Sequence, residues 1–221
     1  MGKNVRKQYG DIVLHNIEDE TWNVWDVSGA THIRVSLPAE IQNTLAMQEK
    51  GYQFVDRMLD VTVNLRQVSL DLDKCIRIKP ILSCEYKDDI KKIALENFTM
   101  DRRFHVEIDY NQQIAKKIID GWVEEIPEFY LCIYKEIPIG FLALRESEDK
   151  KSAEVYLAAV DKQYRATGAA LSLYANAMKV GKEKGYQTIT GYISSYNTAD
   201  MNLYAYFGGT FSNPRDIYLK K

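Results

Sequence analysis

The stretch YRATGAA, residues 164–170, separates a segment patterned like a strand from one patterned like a helix. The strand-like segment before it includes AEVYLAAV, and the helix-like segment after it reads LSLYANAMKVGKEKG. Small residues dominate this stretch, namely Ala166, Gly168, Ala169 and Ala170. Such a turn lets another group approach the backbone closely. We call residues 164–170 the glycine turn.

The glycine turn joins the end of a strand to the start of a helix. The first backbone N–H groups of a helix have no partner within the helix, and the helix dipole makes that end positive. Small side chains would let a phosphate come within hydrogen-bonding distance of these groups. The turn has neither GxGxxG nor GxxxxGK(S/T). Two interpretations follow, an anion site and a turn whose glycine serves packing alone.

The segments around the glycine turn predict a regular order of elements from residue 75 onward. The alternating segment CIRIKPIL, which starts at Cys75, predicts a strand interrupted by Pro80. Apolar residues at helical spacing predict helices in YKDDIKKIALENF and DYNQQIAKKIIDGWVEEI. The remaining segments predict three antiparallel strands, a helix, a strand, a short helix and a last strand, at 128–135, 137–146, 152–160, 167–184, 187–193, 198–206 and 210–219. This mixture is typical of an α+β fold.

The first third of the chain predicts a smaller α/β unit. THIRVSLPA alternates like a strand, and Pro38 suits the first turn of a helix, AEIQNTLAMQEKG, that stops at Gly51. A β-rich segment follows at 52–68. We predict a smaller N-terminal α/β domain over 1–74 and a larger domain over 75–221. The edge of the segment at 52–68 would be covered by a second subunit of a homodimer or by the sheet of the larger domain.

Composition excludes several classes of function. The 221 residues carry 29 Lys and Arg against 31 Asp and Glu, a net charge of -2, so no global basic field would recruit nucleic acid or an anionic membrane. No segment has the roughly 18 apolar residues of a membrane helix. Cys75, Cys84 and Cys132 lack CxxC spacing, which suits reduced thiols, and the three His form no local metal motif. We expect a cytoplasmic protein with no metal, nucleic-acid or membrane partner.

Two motifs carry a resemblance to a known superfamily. RATGAA, 165–170, matches Q/R-x-x-G-x-G/A, and NTADMNLYAYFGGTF, 197–211, matches N-x-x-A-x-x-L-Y-x-x-x-G-F at Asn197, Leu203, Tyr204 and Gly208. Together with the order of elements, these motifs resemble the GNAT superfamily of acyl-CoA-dependent N-acetyltransferases over about residues 76–221. Asp200 replaces a small residue of the second motif, and Gly209 replaces an aromatic one. The resemblance implies a three-layer αβα fold with a mixed, mostly antiparallel sheet.

The resemblance also implies acetyl-CoA as co-substrate. Its pyrophosphate would bind backbone amides of Arg165, Ala166, Thr167, Gly168, Ala169 and Ala170. Its pantetheine arm would pair with strand 155–160, through Leu157, Ala158 and Val160, as another strand would. Strand 155–160 would splay from strand 187–193, so that the thioester reaches the opening. Asn197 would contact CoA, cap the helix that follows, or do both.

In this resemblance Tyr204 is the general acid that protonates the departing CoA thiolate. The alternative is that Tyr204, one of 15 tyrosines, packs on a helix face beside Tyr206. The attacking amine must be neutral, so a base is needed. Glu154, on the strand that leads to the glycine turn, is the candidate base. Its alternative role is that of a charged residue on the solvent side of that strand.

One short segment indicates the acceptor. FTMDRRFHVEIDYN, 98–111, behind an N-terminal α/β extension, is similar to enzymes of the dTDP-fucosamine acetyltransferase type. An anionic diphosphate acceptor would give Arg102 or Arg103 a role, and we expect Arg103 and His105 to bind it. The alternative for the arginine pair is a solvated turn. The leading prediction is N-acetylation of a nucleotide-linked amino sugar. A small-molecule amine, an antibiotic, a peptide N-terminus and a non-catalytic acyl-CoA-binding module remain alternatives.

Overall fold

The chain forms a single ten-stranded sheet with helices on both of its faces. The structure is a computed structural model that describes residues 4–9, 11–18, 22, 26–98, 102 and 111–221. The strands, in chain order, are β1 (Asn4–Tyr9), β2 (Ile12–Ile17), β3 (His32–Pro38), β4 (Gln53–Asn64), β5 (Ile81–Ser83), β6 (Phe129–Tyr134), β7 (Ile137–Glu146), β8 (Ser152–Val160), β9 (Thr188–Ser194) and β10 (Thr210–Lys220).

The strands are arranged across the sheet in the order β1-β2-β3-β10-β4-β9-β8-β7-β6-β5. The pairs β2–β3 and β8–β9 are parallel. The other neighbours are antiparallel, including the predicted meander of β6, β7 and β8. The mixed, mostly antiparallel sheet confirms the predicted α+β class.

Helices cover both faces of the sheet. They are α1 (Ile41–Glu49), α2 (Leu72–Cys75), α3 (Lys87–Phe98), α4 (Gln112–Glu124), α5 (Ala169–Glu183) and α6 (Thr198–Tyr206), with a 3-10 helix at Lys162–Thr167. One core forms under α5 and α6, and a second, around Ile90, Ile119 and Phe141, forms under α3 and α4. These are the predicted αβα layers. None of the helices in the described ranges is long and apolar enough to cross a membrane.

The predicted strand–helix–strand unit near the N-terminus is present as β3, α1 and β4. Its two strands do not pair with each other, because β10 lies between them. The predicted position of Pro38 in the first helical turn is wrong: Pro38 ends β3, and Glu40 is the N-cap of α1. The Pro38 carbonyl accepts a hydrogen bond from the Asn43 side chain at 3.0 Å. The domain boundary between residues 74 and 75 stays a prediction.

The segment CIRIKPIL is not the strand that its alternation predicts. It starts at the end of α2, which the Asp71 side chain caps, and only its last two residues enter the three-residue strand β5. The Ser172 hydroxyl of α5 accepts hydrogen bonds from the backbone N–H groups of Arg77 at 3.0 Å and Ile78 at 3.2 Å. Because these two amides bond to a helix and not to a strand, the residues before β5 lie against the start of α5.

The cysteines are free thiols in different environments. Cys75 and Cys132 are buried, and Cys84 is exposed. Burial raises the pKa of the Cys132 thiol to about 12, so this thiol stays protonated at neutral pH. Across the described residues, no group of His, Cys, Asp and Glu side chains is arranged to hold a metal ion. The expected absence of a metal stays a prediction.

An ion pair joins β4 to β10. The Arg57 guanidinium donates to both carboxylate oxygens of Asp216, from Nε at 2.6 Å and from Nη2 at 2.9 Å. Asp216 is buried, and it also accepts a hydrogen bond from the Tyr218 hydroxyl at 3.4 Å. The two-point contact compensates a buried carboxylate where strands from distant parts of the chain meet.

We expect Arg57→Met to lower the free energy of unfolding by about 2 kcal/mol, because Asp216 stays buried and loses two charge-assisted hydrogen bonds. Arg66→Met, in the exposed turn after β4, is the matched control and should change this free energy by less than about 0.5 kcal/mol. Urea denaturation followed by circular dichroism measures both variants. Equal stability of Arg57→Met and wild type would contradict the role given to the ion pair.

Candidate active site

The sheet opens between β8 and β9. These parallel strands pair only from Ser152 with Thr188 to Glu154 with Thr190, and no pairing in the described residues extends further. Beyond this point β8 continues along β7, and β9 continues along β4. We call the opening the splay. One edge of residues 155–160 faces it without a strand partner, so its main-chain groups are available to a ligand.

The glycine turn follows β8 at the wide end of the splay. After the 3-10 helix, Gly168 adopts a left-handed conformation with φ of 83°. Helix α5 begins at Ala169 and not at Thr167, where the sequence predicts it, because the left-handed residue separates the two helical segments. Among the described residues, no side chain makes an N-cap hydrogen bond to α5, and Thr167 Oγ1 accepts a hydrogen bond from the first amide, that of Ala169, at 3.4 Å. The amides that follow Ala169 in the first turn have no side-chain acceptor in this described part of the chain.

Side chains hold the glycine turn in place. Thr167 Oγ1 donates to a carbonyl of the 3-10 helix at 2.7 Å, and the Ser172 hydroxyl donates to the Gly168 carbonyl at 2.9 Å. Arg165 donates from Nη2 to the side-chain oxygen of Asn97 in α3 at 2.8 Å. The Arg165 side chain is thus hydrogen-bonded to α3, outside the turn. Only the backbone of Arg165 belongs to the turn.

The predicted cofactor-binding residues border one opening. Leu157, Ala158 and Val160 pair with β7 on one side and face the splay with the other. The glycine turn continues directly from them, and in it Arg165, Ala166 and Thr167 are exposed while Ala169 is buried. Asn197 is the N-cap of α6, and its side chain accepts a hydrogen bond from the Asp200 amide at 3.2 Å. The capping role of Asn197 is confirmed, and its contact with CoA stays a prediction.

Tyr204 is buried against β9 at the narrow end of the splay. Its side chain is 1% exposed, and a Cβ on Gly191 would collide with its hydroxyl oxygen. The glycine therefore leaves the space that the phenol occupies. Burial, followed by the charge of Asp200, raises the pKa of Tyr204 well above its usual range, so the phenol keeps its proton at neutral pH. The hydroxyl reaches the sheet one residue past the last pairing of β9 with β8.

Two further side chains support Tyr204. Tyr174 of α5 packs edge-on against the Tyr204 ring, with 5.2 Å between ring centroids, and its hydroxyl donates to Asp200 Oδ1. Burial raises the pKa of the Asp200 carboxyl, and the hydrogen bond from Tyr174 opposes that rise. Asp200 is the residue that replaces a small one in the second motif. This substitution therefore anchors the tyrosine that packs on Tyr204.

Glu154 lies on the face of β8 opposite the core that contains Tyr204. Its neighbours Ala153 and Val155 share that core with Tyr204, and side chains alternate between faces along a strand. Glu154 is half-buried and belongs to the last parallel pair, opposite Thr190. The two residues with predicted roles in proton transfer therefore approach the start of the splay from opposite faces.

Arg102 lies on the β4 and β9 side of the splay, whereas α3, the helix that precedes it in the chain, lies on the β7 and β8 side. Its Nε donates to the Val55 carbonyl of β4 at 3.0 Å, and its guanidinium carbon lies 4.4 Å from the centre of the Tyr196 ring, just after β9. Helix α3, by contrast, packs on β7 and β8. Arg103 and His105 lie outside the described residues, so their contact with an acceptor stays a prediction.

Two residues near the site lie outside the motifs that predict it. Gly191 is an isolated glycine in the strand TITGYIS, which is a recognisable sign of close approach to the backbone. Arg77 has no such sign. It reaches the glycine turn only in the folded chain, where its Cδ lies 2.9 Å from the position of a Cβ added to Gly168.

The site combines an unpaired sheet edge with the start of a helix, an arrangement suited to a ligand that has an extended arm and an anionic group. Residues 88–208 match the model of the Acetyltransferase (GNAT) family, and the chain belongs to this family. The matched range contains Glu154, the glycine turn and Tyr204. The predicted superfamily is confirmed, and the finer similarity to enzymes of the dTDP-fucosamine acetyltransferase type stays a prediction.

Solved structures with a similar fold cover nearly the whole chain. A conserved protein of unknown function from Staphylococcus epidermidis has a TM-score of 0.66 and 15% identity, over 96% of this chain and 86% of its own. A GCN5-related N-acetyltransferase from Sphaerobacter thermophilus has a TM-score of 0.66 and 12% identity, over 99% of this chain and 75% of its own. A GCN5-related glucosamine N-acetyltransferase region of a fungal multi-domain GH3 beta-N-acetylglucosaminidase has a TM-score of 0.63 and 12% identity, over 99% of this chain and 31% of its own. No curated protein matches the sequence.

The residues present fit acetyl-CoA, the acyl donor that the family uses. The inner edge of residues 155–160 offers main-chain groups to an extended pantetheine arm, as a sheet edge does to an added strand. The uncapped start of α5 stands where β8 ends and would receive the pyrophosphate.

Gly168→Glu should weaken acetyl-CoA binding by ~100-fold or more, because it places a carboxylate beside the amides that would bind the pyrophosphate. Gly185→Glu is the matched control. Gly185 follows the same helix, has φ of 78°, and an added Cβ there would meet nothing within 4 Å. Both variants add the same charge and similar backbone strain, so calorimetric dissociation constants isolate the effect of position. Similar affinities would contradict a donor site at the glycine turn.

Proposed function

We propose that this protein transfers the acetyl group of acetyl-CoA to a primary amine, and that the amine belongs to a nucleotide-linked amino sugar. The splay carries the proposal, because the Tyr204 hydroxyl lies at its narrow end and the glycine turn at its wide end. A donor extended along residues 155–160 would present its thioester to that hydroxyl. Membership of the acetyltransferase family supports the choice of donor.

In the proposed reaction a neutral amine attacks the carbonyl carbon of the thioester. The N–C bond forms, the C–S bond breaks, and the electron pair of the broken bond leaves with sulfur. Tyr204 donates its proton to the sulfur, and the amine loses a proton to a base. The Tyr204 phenol holds its proton at neutral pH, as a donor must before the reaction. Tyr174, which packs on its ring, limits the orientations of the phenol.

Glu154 is the base in this proposal. It belongs to the last parallel pair of the splay and lies on the face opposite Tyr204. With an acid and a base on opposite faces, the amine would approach the carbonyl carbon from one side while the sulfur is protonated from the other. This is the orientation that the transfer needs. The proton would pass to Glu154 directly or through one water.

The position of Arg102 favours an acceptor that carries negative charge. The Val55 carbonyl and the Tyr196 ring position its guanidinium, and a planar guanidinium suits phosphate oxygens. Tyr196 is 54% exposed and offers an aromatic surface beside this charge. The fungal neighbour, a glucosamine N-acetyltransferase region, is an amino-sugar enzyme on a similar fold. In this proposal Arg102 binds the diphosphate, and Arg103 and His105 contribute further contacts.

Tyr204→Phe should lower kcat by ~100-fold with the best amine and leave the dissociation constant of acetyl-CoA within about twofold of wild type, because only the proton donor is lost. Tyr52→Phe, which alters a tyrosine that packs on Trp22 away from the splay and the glycine turn, is the control and should leave both quantities unchanged. Release of CoA thiol measures turnover, and calorimetry measures binding. An unchanged kcat for Tyr204→Phe would remove Tyr204 from the role of acid.

A panel of amines tests the acceptor. We expect the highest kcat/KM with nucleotide-linked amino sugars, and we expect Arg102→Ala to raise KM for these about tenfold while changing KM for free amino sugars little, because only the former carry the diphosphate. The panel includes small-molecule amines, aminoglycoside antibiotics and peptides with free N-termini. Activity confined to peptides would overturn the sugar assignment. Binding of acetyl-CoA without turnover of any amine would identify a non-catalytic acyl-CoA-binding module.

A further inference from the structure

Arg77 lies over the glycine turn although it is distant from it in sequence. A Cβ added to Gly168 would stand 2.9 Å from Arg77 Cδ and 3.6 Å from both Nε and Nη1. The aliphatic stem of Arg77 thus crosses the glycine, and its guanidinium lies beside the turn. The absence of a side chain at Gly168 makes room for this arrangement.

The backbone around Arg77 is anchored to α5. The Ser172 hydroxyl accepts hydrogen bonds from the N–H groups of Arg77 and Ile78, and it donates to the Gly168 carbonyl. The Cys132 thiol contacts the Ile78 carbonyl at 3.7 Å. One hydroxyl therefore connects the backbone of Arg77 to the backbone of the glycine turn, which keeps the two segments together.

The charge of Arg77 is not neutralised by the carboxylates nearest to it in sequence. Asp71 pairs with Lys74 at 3.2 Å, and Asp73 pairs with Lys179 at 2.5 Å. Within the described part of the chain, no carboxylate forms an ion pair with Arg77. The residue is exposed. The Arg77 guanidinium, without a carboxylate partner among the described residues, thus lies beside the start of α5.

We propose that Arg77 binds a phosphate of acyl-CoA at the glycine turn. This inference rests on the proposed function, because it requires the donor site to be where that function places it. The motif arginine, Arg165, gives its side chain to Asn97, so Arg77 supplies the positive side chain and the turn supplies amides. A guanidinium offers phosphate two donors in one plane, in addition to its charge.

The test is the dissociation constant of CoA, measured by calorimetry at low ionic strength. Arg77→Met removes the charge and keeps an aliphatic stem over Gly168, and we expect it to bind CoA about tenfold more weakly than wild type. Arg77→Lys should lie between the two, because it keeps the charge and loses the planar donors. Arg66→Met removes a distant exposed charge and should bind within about twofold of wild type. The affinity of Arg77→Met should also depend less on salt.

The same titrations with 3′-dephospho-CoA distinguish the two phosphate groups. A similar loss for both ligands assigns Arg77 to the pyrophosphate, and a loss confined to CoA assigns it to the 3′-phosphate. Either result supports a phosphate ligand. Thermal unfolding midpoints within about two degrees of wild type would show that the variants are folded.

Two negative results have different meanings. If wild type binds CoA and Arg77→Met binds it equally well at low salt, the assignment of Arg77 is overturned and the proposed function stands. If wild type does not bind CoA, the proposed function and the assignment of Arg77 are overturned together. The first result concerns one side chain, and the second concerns the whole donor site.

Discussion

The site depends on one constraint, which is that β8 and β9 pair at one end and part at the other. Glu154 and Thr190 form the last pair, yet each strand keeps its outer neighbour, so the sheet remains intact on both sides of the opening. The core under α5 and α6 contains residues of both β8 and β9, so packing on this face spans the opening. Main-chain groups that lack a strand partner favour a ligand that can satisfy them. The topology itself therefore leaves the inner edge of residues 155–160 open to a ligand.

Close approach at two glycines shapes what surrounds the splay. The Tyr204 phenol fills the space beside Gly191, and the aliphatic stem of Arg77 fills the space beside Gly168. In both places a long side chain from another element occupies the space that a Cβ would fill. The glycines thus do more than permit a turn or a ligand. They also allow a phenol and a cation to stand at the two ends of the same opening.

Local patterns predicted much of the fold. Among the described residues, the α-helices other than α2 and the meander lie within a few residues of their predicted bounds, because the spacing of apolar residues reports which face of an element is buried. CIRIKPIL alternates like a strand but is not one over most of its length, because two of its amides bond to Ser172, which lies 95 residues after Arg77, and no local pattern records that contact. Pro38 suited a helix start by composition, but pairing of β3 with β10 extends to this residue. Gly191, an isolated glycine within a strand, carries a sequence signal of close approach that the two motifs do not include.

The sequence by itself determined the order of elements, the glycine turn and the resemblance to the acetyltransferase family, because these depend on short spacings and motifs. Only the tertiary structure decided that β10 separates β3 from β4, and that Glu154 and Tyr204 stand on opposite faces. It also decided that Arg77 lies beside Gly168 while the Arg165 side chain bonds to α3. These relations join residues far apart in the chain. They are set by strand pairing and by packing across the sheet, which no local pattern of residues contains.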